Sequence, residues 1–180
     1  LIRDAEALER FAAVDILVVD KTGTLTEGKP KLTDVIALSD GGEDELLTLA
    51  AALEKGSEHP LAEAIVAGAQ ARELRIPEAT DFDAVTGKGV QGQVMNKAVA
   101  LGNRAMMEHL SIDISKLESQ AADMQNDGKT VMYIAHGDEL SGIVAVADPI
   151  KETTQEAIKA LHKLGIKIIM ATGDNERTAK

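Results

Sequence analysis

A turn of polar residues directly after an apolar run carries the clearest chemical signal in this sequence. Ile16–Val19 is typical of a short buried strand, and Asp20 follows it at the start of a turn rich in Thr and Gly. Ligands of open α/β sheets bind beyond the carboxyl ends of the strands, so this position favours Asp20 as a nucleophile. The backbone N–H groups of Lys21–Thr26 are then expected to bind a phosphoryl group.

The residue two positions after Asp20 narrows the chemistry further. A phosphohydrolase of the haloacid dehalogenase type has a second Asp there, which acts as general acid and base. This chain has Thr22, whose hydroxyl does not transfer protons at neutral pH. A phosphoaspartate on Asp20 would therefore persist, as suits a machine that couples phosphorylation to a conformational change. The alternative is an ordinary Thr/Gly-rich turn with a surface Asp, which seldom matches seven specified positions.

A second polar turn follows another apolar strand near the end of the chain. Ile166–Met170 is the apolar run, and Thr172-Gly173-Asp174-Asn175 comes shortly after it. If the two strands lie parallel and side by side, the Thr172 hydroxyl reaches the phosphoryl group at Asp20. By itself the second turn is equally typical of a helix start with Asp174 as the N-cap.

Two further motifs indicate a site for a nucleotide. Pro60 suits the first position of a helix, because its missing N–H would have no intrahelical partner there. Glu58 and His59 therefore project from a rigid corner, where an imidazole can stack on adenine and a carboxylate can accept from its amine. Gly87 and Gly89 allow a ligand to approach the backbone closely. The alternatives are an N-capping segment with an exposed His, and a β-bulge or hairpin turn.

Composition excludes several other classes of function. The 180 residues carry a formal net charge of −11 and only 2% aromatic residues, which argues against a nucleic-acid partner. The absence of Cys excludes disulfides, CxxC metal sites and thiol chemistry. No apolar run reaches the roughly 18 residues of a membrane span, and no GxxxxGK[ST] phosphate loop occurs. Neither end looks like a natural terminus, so we expect a piece of a longer protein.

The hydrophobic periodicity predicts an α/β core interrupted by an inserted α+β domain. The first and last parts have continuous apolar strands, whereas the middle is patterned as an antiparallel sheet with helical hairpins. The predicted helices cover 1–11, 43–55, 103–110, 113–126 and 151–164, with one more from Pro60 to before Pro77. The predicted strands cover 14–20, 32–38, 82–85, 89–95, 97–101, 130–136, 140–147 and 166–170. Hinges are expected near Lys29–Leu32 and Ala147–Ile150.

Six segments follow one another in the order of a known family's motifs: DKTGTLTEGKP, SEHPLAEAIV, GKGVQG, LGNR, ADPIK and ATGDN. By these motifs the chain resembles the cytoplasmic ATP-binding region of the heavy-metal-transporting P-type ATPases. The Glu before His-Pro is more similar to the copper(I)/silver pumps than to the zinc/cadmium/lead pumps. The resemblance implies a haloacid dehalogenase-like, doubly wound phosphorylation domain over 1–31 and 148–180, incomplete here. It implies an α+β nucleotide-binding domain over 32–147.

The resemblance also implies cofactors and residue roles. ATP and Mg²⁺ are the implied cofactors, with Mg²⁺ held by the Asp20 carboxylate and the backbone carbonyl of Thr22. The implied catalytic residues are Asp20, Lys21 and Thr172. The implied ATP contacts are Glu58, His59, Gly87, Gly89 and Asn103, and the implied phosphate contacts are Thr22, Gly23, Thr24, Thr172, Gly173 and Asp174. Asp148 with Lys151 resembles an Asp-x-x-Lys segment at the return hinge, and the alternative is a helix start with Pro149 at its first position.

The implied function is ATP-driven metal translocation, with copper(I) as the exported ion, through a phosphoaspartate. The partners would be ATP and the rest of the same polypeptide: transmembrane helices, an actuator domain and the remaining phosphorylation domain. This region would lie on the cytoplasmic side and would not bind the transported ion. Two other classes stay open. One is a soluble phosphotransferase or phosphatase of the haloacid dehalogenase superfamily, and the other is a nucleotide-binding module without catalysis, since the family's downstream Lys and GDGxNDAP segment are absent.

Overall fold

The computed structural model describes residues 14–38 and 40–171, and these residues divide into two compact units. The first unit comprises the described residues up to Gly28 and those from Asp148 onward, and the second unit runs from Lys29 to Ala147. The helix predicted over 1–11 lies outside the described residues. The assignment of the two units as phosphorylation and nucleotide-binding domains stays a prediction.

Eight strands and five α-helices make up the described part of the chain. The strands are β1 (Ile16–Asp20), β2 (Lys31–Ala37), β3 (Ala79–Val85), β4 (Gly89–Val94), β5 (Lys97–Gly102), β6 (Thr130–His136), β7 (Glu139–Ala147) and β8 (Lys167–Ala171). The helices are α1 (Gly42–Glu54), α2 (Pro60–Ala71), α3 (Arg104–His109), α4 (Glu118–Asn126) and α5 (Thr154–Lys163). None of these helices has the length and apolarity that crossing a bilayer requires.

The first unit is built on a parallel pair of strands. β1 and β8 run side by side in register, so that Asp20 stands opposite Ala171 at their carboxyl ends. Both strands are mostly apolar, but the predicted burial of Ile16–Val19 is wrong for the described residues, since Ile16 and Val18 are 54% and 63% exposed. The described part of this unit has a single α-helix, α5, and one helix does not cover both faces of a strand pair. The sequence therefore places Asp20 at the end of a parallel strand, where such sheets carry their chemistry.

The second unit is a six-stranded antiparallel sheet with helices on both faces. The strand order is β2-β7-β6-β5-β4-β3, and every neighbouring pair is antiparallel. Side chains alternate between the faces because the period of a strand is two residues. Val99 and Leu101 of β5 pack with α1 and α2, whereas Ala100 between them packs with α3 and α4. The sheet thus separates two apolar clusters.

Two predicted helices begin later in the structure than their periodicity indicates. The helix predicted over 113–126 starts only at Glu118, because the Asp113 carboxylate accepts hydrogen bonds from the N–H and the hydroxyl of Ser115, each at 2.9 Å. Such local side-chain bonds compete with helix formation. The helix predicted over 151–164 starts at Thr154, and the Lys151 N–H before it donates to the Leu25 carbonyl at 3.0 Å.

Candidate functional site

The turn after β1 presents the predicted nucleophile to solvent. Asp20 ends β1, and its exposed carboxylate accepts a hydrogen bond from the Thr22 N–H at 3.3 Å. The irregular turn over Lys21–Leu25 departs from helical geometry at Thr22 and Gly23, and Gly23 has a φ of +75°. Thr22, Gly23 and Thr24 are exposed. An exposed carboxylate beside an exposed turn suits attack on a phosphoryl group that arrives from solution.

Thr26 fastens this turn from the inside, although the sequence pattern assigned it no role of its own. Its side chain is buried, and its hydroxyl accepts from the Gly23 N–H at 3.1 Å. The hydroxyl lies 2.5 Å from the Asp148 carboxylate and 3.1 Å from the Lys21 carbonyl, which already accepts the Thr26 N–H at 3.2 Å. The Thr26 hydroxyl has one proton, and a bond to an ionised acceptor is the stronger one. We therefore infer that the hydroxyl donates to the Asp148 carboxylate and not to the Lys21 carbonyl.

The Gly23 N–H is consequently used within the turn. The prediction gave Gly23 to phosphate binding, whereas in the structure its amide donates to the Thr26 hydroxyl. Thr22 N–H likewise donates to Asp20. The amides of Thr22 and Gly23 therefore shape the turn and orient the Asp20 carboxylate in this conformation. Their role in phosphate binding stays a prediction.

The segment that begins at Asp148 holds the same turn through side chains. The Lys151 ammonium donates to the Gly23 carbonyl at 2.6 Å, and the Thr154 hydroxyl donates to the Leu25 carbonyl at 2.7 Å. Bonds to an ionised donor are stronger than neutral ones, so Lys151 is a firm anchor. Asp148 and Lys151, whose Asp-x-x-Lys spacing the sequence suggested for a hinge, thus both bond to the turn that follows Asp20.

The predicted nucleotide corner is a capped helix start. His59 is the N-cap of α2, and its Nδ1 accepts from the Leu61 N–H at 3.2 Å. The His59 N–H itself lies 3.3 Å from the Ser57 hydroxyl oxygen. Because Nδ1 is an acceptor, the neutral ring carries its proton on Nε2. Capping and ligand binding are compatible, since Glu58 and the His59 ring are exposed.

The predicted glycine element is a tight turn seated against the end of β5. Gly87 and Gly89 both have positive φ, +72° and +156°. Gly89 pairs with Gly102, and the Asn103 side-chain amide donates to the Gly87 carbonyl at 2.8 Å. The structure therefore brings Gly87, Gly89 and Asn103 together, as a common site requires.

One acidic residue that the motifs did not single out is buried beside the His59 corner. Among the described residues Glu54 is the charged side chain that is buried, at 6% exposure. Burial raises the pKa of the Glu54 carboxyl, and a hydrogen bond from the Ser57 side chain opposes that rise. Glu54 follows Ala50 by four residues on the apolar stripe of α1, so a charge at a core position was the signal in the sequence.

The remaining predicted site residues are Lys21 and three residues at the end of the chain. Lys21 directly follows Asp20 and is partly buried. Thr172, Gly173 and Asp174 lie outside the described residues. Within residues 14–38 and 40–171, no three His, Cys, Asp or Glu side chains gather as they would around a metal ion.

Comparisons with known proteins agree on the family. The model of the family described as haloacid dehalogenase-like hydrolase matches residues 14–180. A copper-transporting P-type ATPase of Rhizobium leguminosarum bv. viciae is 62% identical over 100% of this chain, which spans 21% of that protein. A silver exporting P-type ATPase of Salmonella typhimurium is 49% identical over 100% of the chain and 22% of its own length. The chain thus spans about a fifth of these curated relatives.

A solved structure supports the same relationship. The crystal structure of a zinc-transporting PIB-type ATPase in the E2·Pi state matches 99% of this chain and 29% of its own, with a TM-score of 0.83 and 38% identity. The predicted resemblance to heavy-metal P-type ATPases is confirmed by these matches. The predicted fold class, haloacid dehalogenase-like α/β with an antiparallel α+β domain, is confirmed as well.

Proposed function

The chain belongs to the haloacid dehalogenase-like hydrolase family, and on that premise we propose that it is the ATP-binding and aspartyl-phosphorylated region of a copper(I)-exporting P-type ATPase. The observation that carries the proposal is the position of Asp20. It ends a parallel strand, it is exposed, and the turn behind it is fastened by buried and charged side chains. A nucleophile needs such a fixed support to meet phosphorus in line.

The proposed reaction is phosphoryl transfer to a carboxylate. An Asp20 oxygen attacks the γ-phosphorus of ATP, so an O–P bond to Asp20 forms while the bond from γ-phosphorus to the oxygen of ADP breaks. Lys21 and Thr172 would offset the charge of the phosphoryl oxygens. Thr22 lacks the proton-transfer capacity of a second carboxylate, so hydrolysis of the acyl phosphate would be slow. The proposed phosphate contacts are Thr22, Gly23, Thr24, Thr172, Gly173 and Asp174.

The proposed nucleotide site lies on the second unit. His59 would stack on adenine, Glu58 would lie beside it, and Gly87 and Gly89 would allow the nucleotide to approach the backbone. We add Glu54 to this set, since a buried carboxyl with a raised pKa at the same corner is typical of a binding site. Asn103 belongs to the same cluster through its bond to Gly87.

Magnesium fits the residues at the turn. Asp20 offers a carboxylate and Thr22 a backbone carbonyl, and both are the hard oxygen ligands that Mg²⁺ prefers. When bound there, the ion would neutralise charge on the transferred phosphate.

The remaining parts of the proposal concern the whole protein. The matched relatives are about five times longer than this chain, so we propose that the rest of the polypeptide supplies transmembrane helices, an actuator domain and the remaining phosphorylation domain. The region described here would then be cytoplasmic. Copper(I) or silver(I) would be the cargo, handled outside this region. The 62% and 49% identities to a copper-transporting and a silver exporting P-type ATPase support these ions.

The test separates nucleotide binding from phosphorylation. His59→Gln should weaken ATP binding to the chain by calorimetry, and Asp20→Asn should leave it unchanged, because the two residues belong to different units. In the full-length polypeptide with [γ-³²P]ATP and Mg²⁺, Asp20→Asn should abolish an acid-stable, hydroxylamine-labile label. Equal ATP affinity in the His59→Gln variant and the wild type would refute the nucleotide site. Full labelling of the Asp20→Asn variant would refute the phosphorylation site.

A further inference from the structure

We propose that Asn103 is a positioning residue, which acts on nucleotide binding by holding the glycine turn of the nucleotide site. This inference rests on the proposed function, since it concerns a turn assigned to ATP. The observation behind it is that the Asn103 amide bonds the glycine turn through one Nδ2 hydrogen and the start of α3 through Oδ1.

The orientation of the amide follows from its partners. Oδ1 accepts from the Met106 N–H at 3.1 Å, and Nδ2 donates to the Gly87 carbonyl at 2.8 Å. A main-chain N–H needs an acceptor and a carbonyl needs a donor, so the opposite orientation of the amide would lose both bonds. The side chain therefore caps α3 with one end and holds the glycine turn with the other.

The main chain of the same residue holds the next carbonyl of the turn. The Asn103 N–H donates to the Lys88 carbonyl at 2.8 Å, and the Lys88 N–H closes the turn onto Val85 at 2.9 Å. Two successive carbonyls of the turn, at positions 87 and 88, are thus bound by one residue.

The turn has little freedom to settle elsewhere. A Cβ on Gly102 would lie 2.4 Å from the Lys88 carbonyl oxygen and 3.0 Å from the Gly89 Cα, so the two backbones are already in close contact. Sideways displacement is opposed by this contact, while lifting away is opposed by the bonds to Asn103. Removal of the side-chain donor should let the glycine turn move away from Asn103. Nucleotide binding would then weaken, because the turn is no longer preorganised.

A single substitution separates the two ends of the side chain. Asn103→Asp keeps an oxygen to cap α3, because Asp is as good an N-cap as Asn. It removes the donor to Gly87 and puts a carboxylate against a carbonyl instead. Asn96→Asp makes the same chemical change at an exposed residue of the β4–β5 turn, and serves as the matched control.

The experiment uses the 180-residue chain with the non-hydrolysable analogue AMPPCP. We expect Asn103→Asp to weaken binding about tenfold, equivalent to 1.4 kcal/mol, and to speed hydrogen exchange of the Lys88 and Gly89 amides in the nucleotide-free protein. The amides of α3 should keep their protection, and Asn96→Asp should match the wild type in both measurements.

Two results would overturn the proposal. One is an Asn103→Asp variant with wild-type affinity and wild-type exchange. The other is weakened binding with unchanged exchange in the nucleotide-free protein, which would assign the side chain to direct contact with the ligand. Failure of the wild-type chain to bind AMPPCP would refute the nucleotide site, and the exchange rates of the free protein would still decide what Asn103 does to the turn.

Discussion

Gly89 and Gly87 offer a matched pair of substitutions in one turn, and we expect Gly89→Ala to be far more damaging than Gly87→Ala. Both residues have positive φ, at +156° and +72°. They differ in what surrounds them. An added Cβ at Gly87 meets nothing within 4 Å, whereas at Gly89 it would lie 2.2 Å from the Leu101 carbonyl oxygen and 2.5 Å from the Gly102 Cα.

The difference in environment sets the magnitude. Gly87→Ala adds the strain of a left-handed residue, about 1–2 kcal/mol. Gly89→Ala adds backbone strain and a clash with backbone atoms of β5, which β4 and β5 relieve only by moving apart. Backbone strain, overpacking and a weakened strand pair together give about 3–5 kcal/mol.

The chain provides its own probe for the measurement. Tyr133 is its one Tyr, Trp is absent, and the Tyr133 side chain is buried in the second unit at 3% exposure. Urea unfolding followed by Tyr fluorescence therefore reports on the unit that contains both glycines. With an m-value of about 2 kcal/mol/M, the midpoint should fall by about 2 M for Gly89→Ala and by less than about 1 M for Gly87→Ala.

A particular outcome would refute this reasoning. If the two variants lost equal stability, the close contact between Gly89 and β5 would not exist in solution. The loss of stability would then come from the positive φ alone, and the close packing of the glycine turn on β5, which the proposal for Asn103 uses, would be refuted.

Three further predictions concern buried or paired side chains. Glu54→Gln should raise the free energy of unfolding at pH 7, because burial raises the pKa of Glu54 in the folded protein and so disfavours its charged form. In urea titrations this gain should shrink as pH falls towards the ordinary pKa of Glu, and Glu58→Gln, at an exposed position, should show no gain. Burial alone would raise the pKa of Asp34, but hydrogen bonds from Lys129 and Thr33 and the charge of Lys129 lower it. Asp34→Asn should therefore lower the free energy of unfolding by about 1 kcal/mol at pH 7, and this loss should vanish as pH falls through the lowered pKa of Asp34 when stability is measured in acid titration. Thr26→Val should destabilise the turn after Asp20 by about 2–3 kcal/mol, measured as faster hydrogen exchange of its amides, while Thr26→Ser keeps wild-type protection. Equal exchange in both variants would contradict the role of the hydroxyl.

Most of the fold follows from local pattern. The alternation of apolar residues predicts β4 to β7 nearly to the residue, and Pro60 predicts the start of α2, because strand period and the missing proline N–H act within a few residues. The start of the helix predicted over 113–126 is wrong for an equally local reason, since Asp113 accepts a hydrogen bond from Ser115 and the helix begins only at Glu118. An Asx turn competes with a helix in any sequence, and the apolar period alone does not register that competition.

The candidate site divides in the same way. A motif of seven consecutive residues identifies Asp20, since all of its information lies in one short segment. The capping of α2 by His59 was also readable beside Pro60. The burial of Glu54 is less evident from the sequence, because a charged residue on an apolar stripe is known to be buried only once its neighbours in the fold are known.

The sequence by itself predicted a nucleophile at Asp20, with Thr22 at the position of a second carboxylate, and an antiparallel domain that interrupts an α/β pattern. Only the tertiary structure decided what holds those groups. Thr26 and Asp148 are 122 positions apart, and Lys151 reaches a carbonyl 128 positions away. Periodicity and propensity act over a few residues, whereas hydrogen bonds between distant segments exist only after the chain has folded and brought the donors to their acceptors.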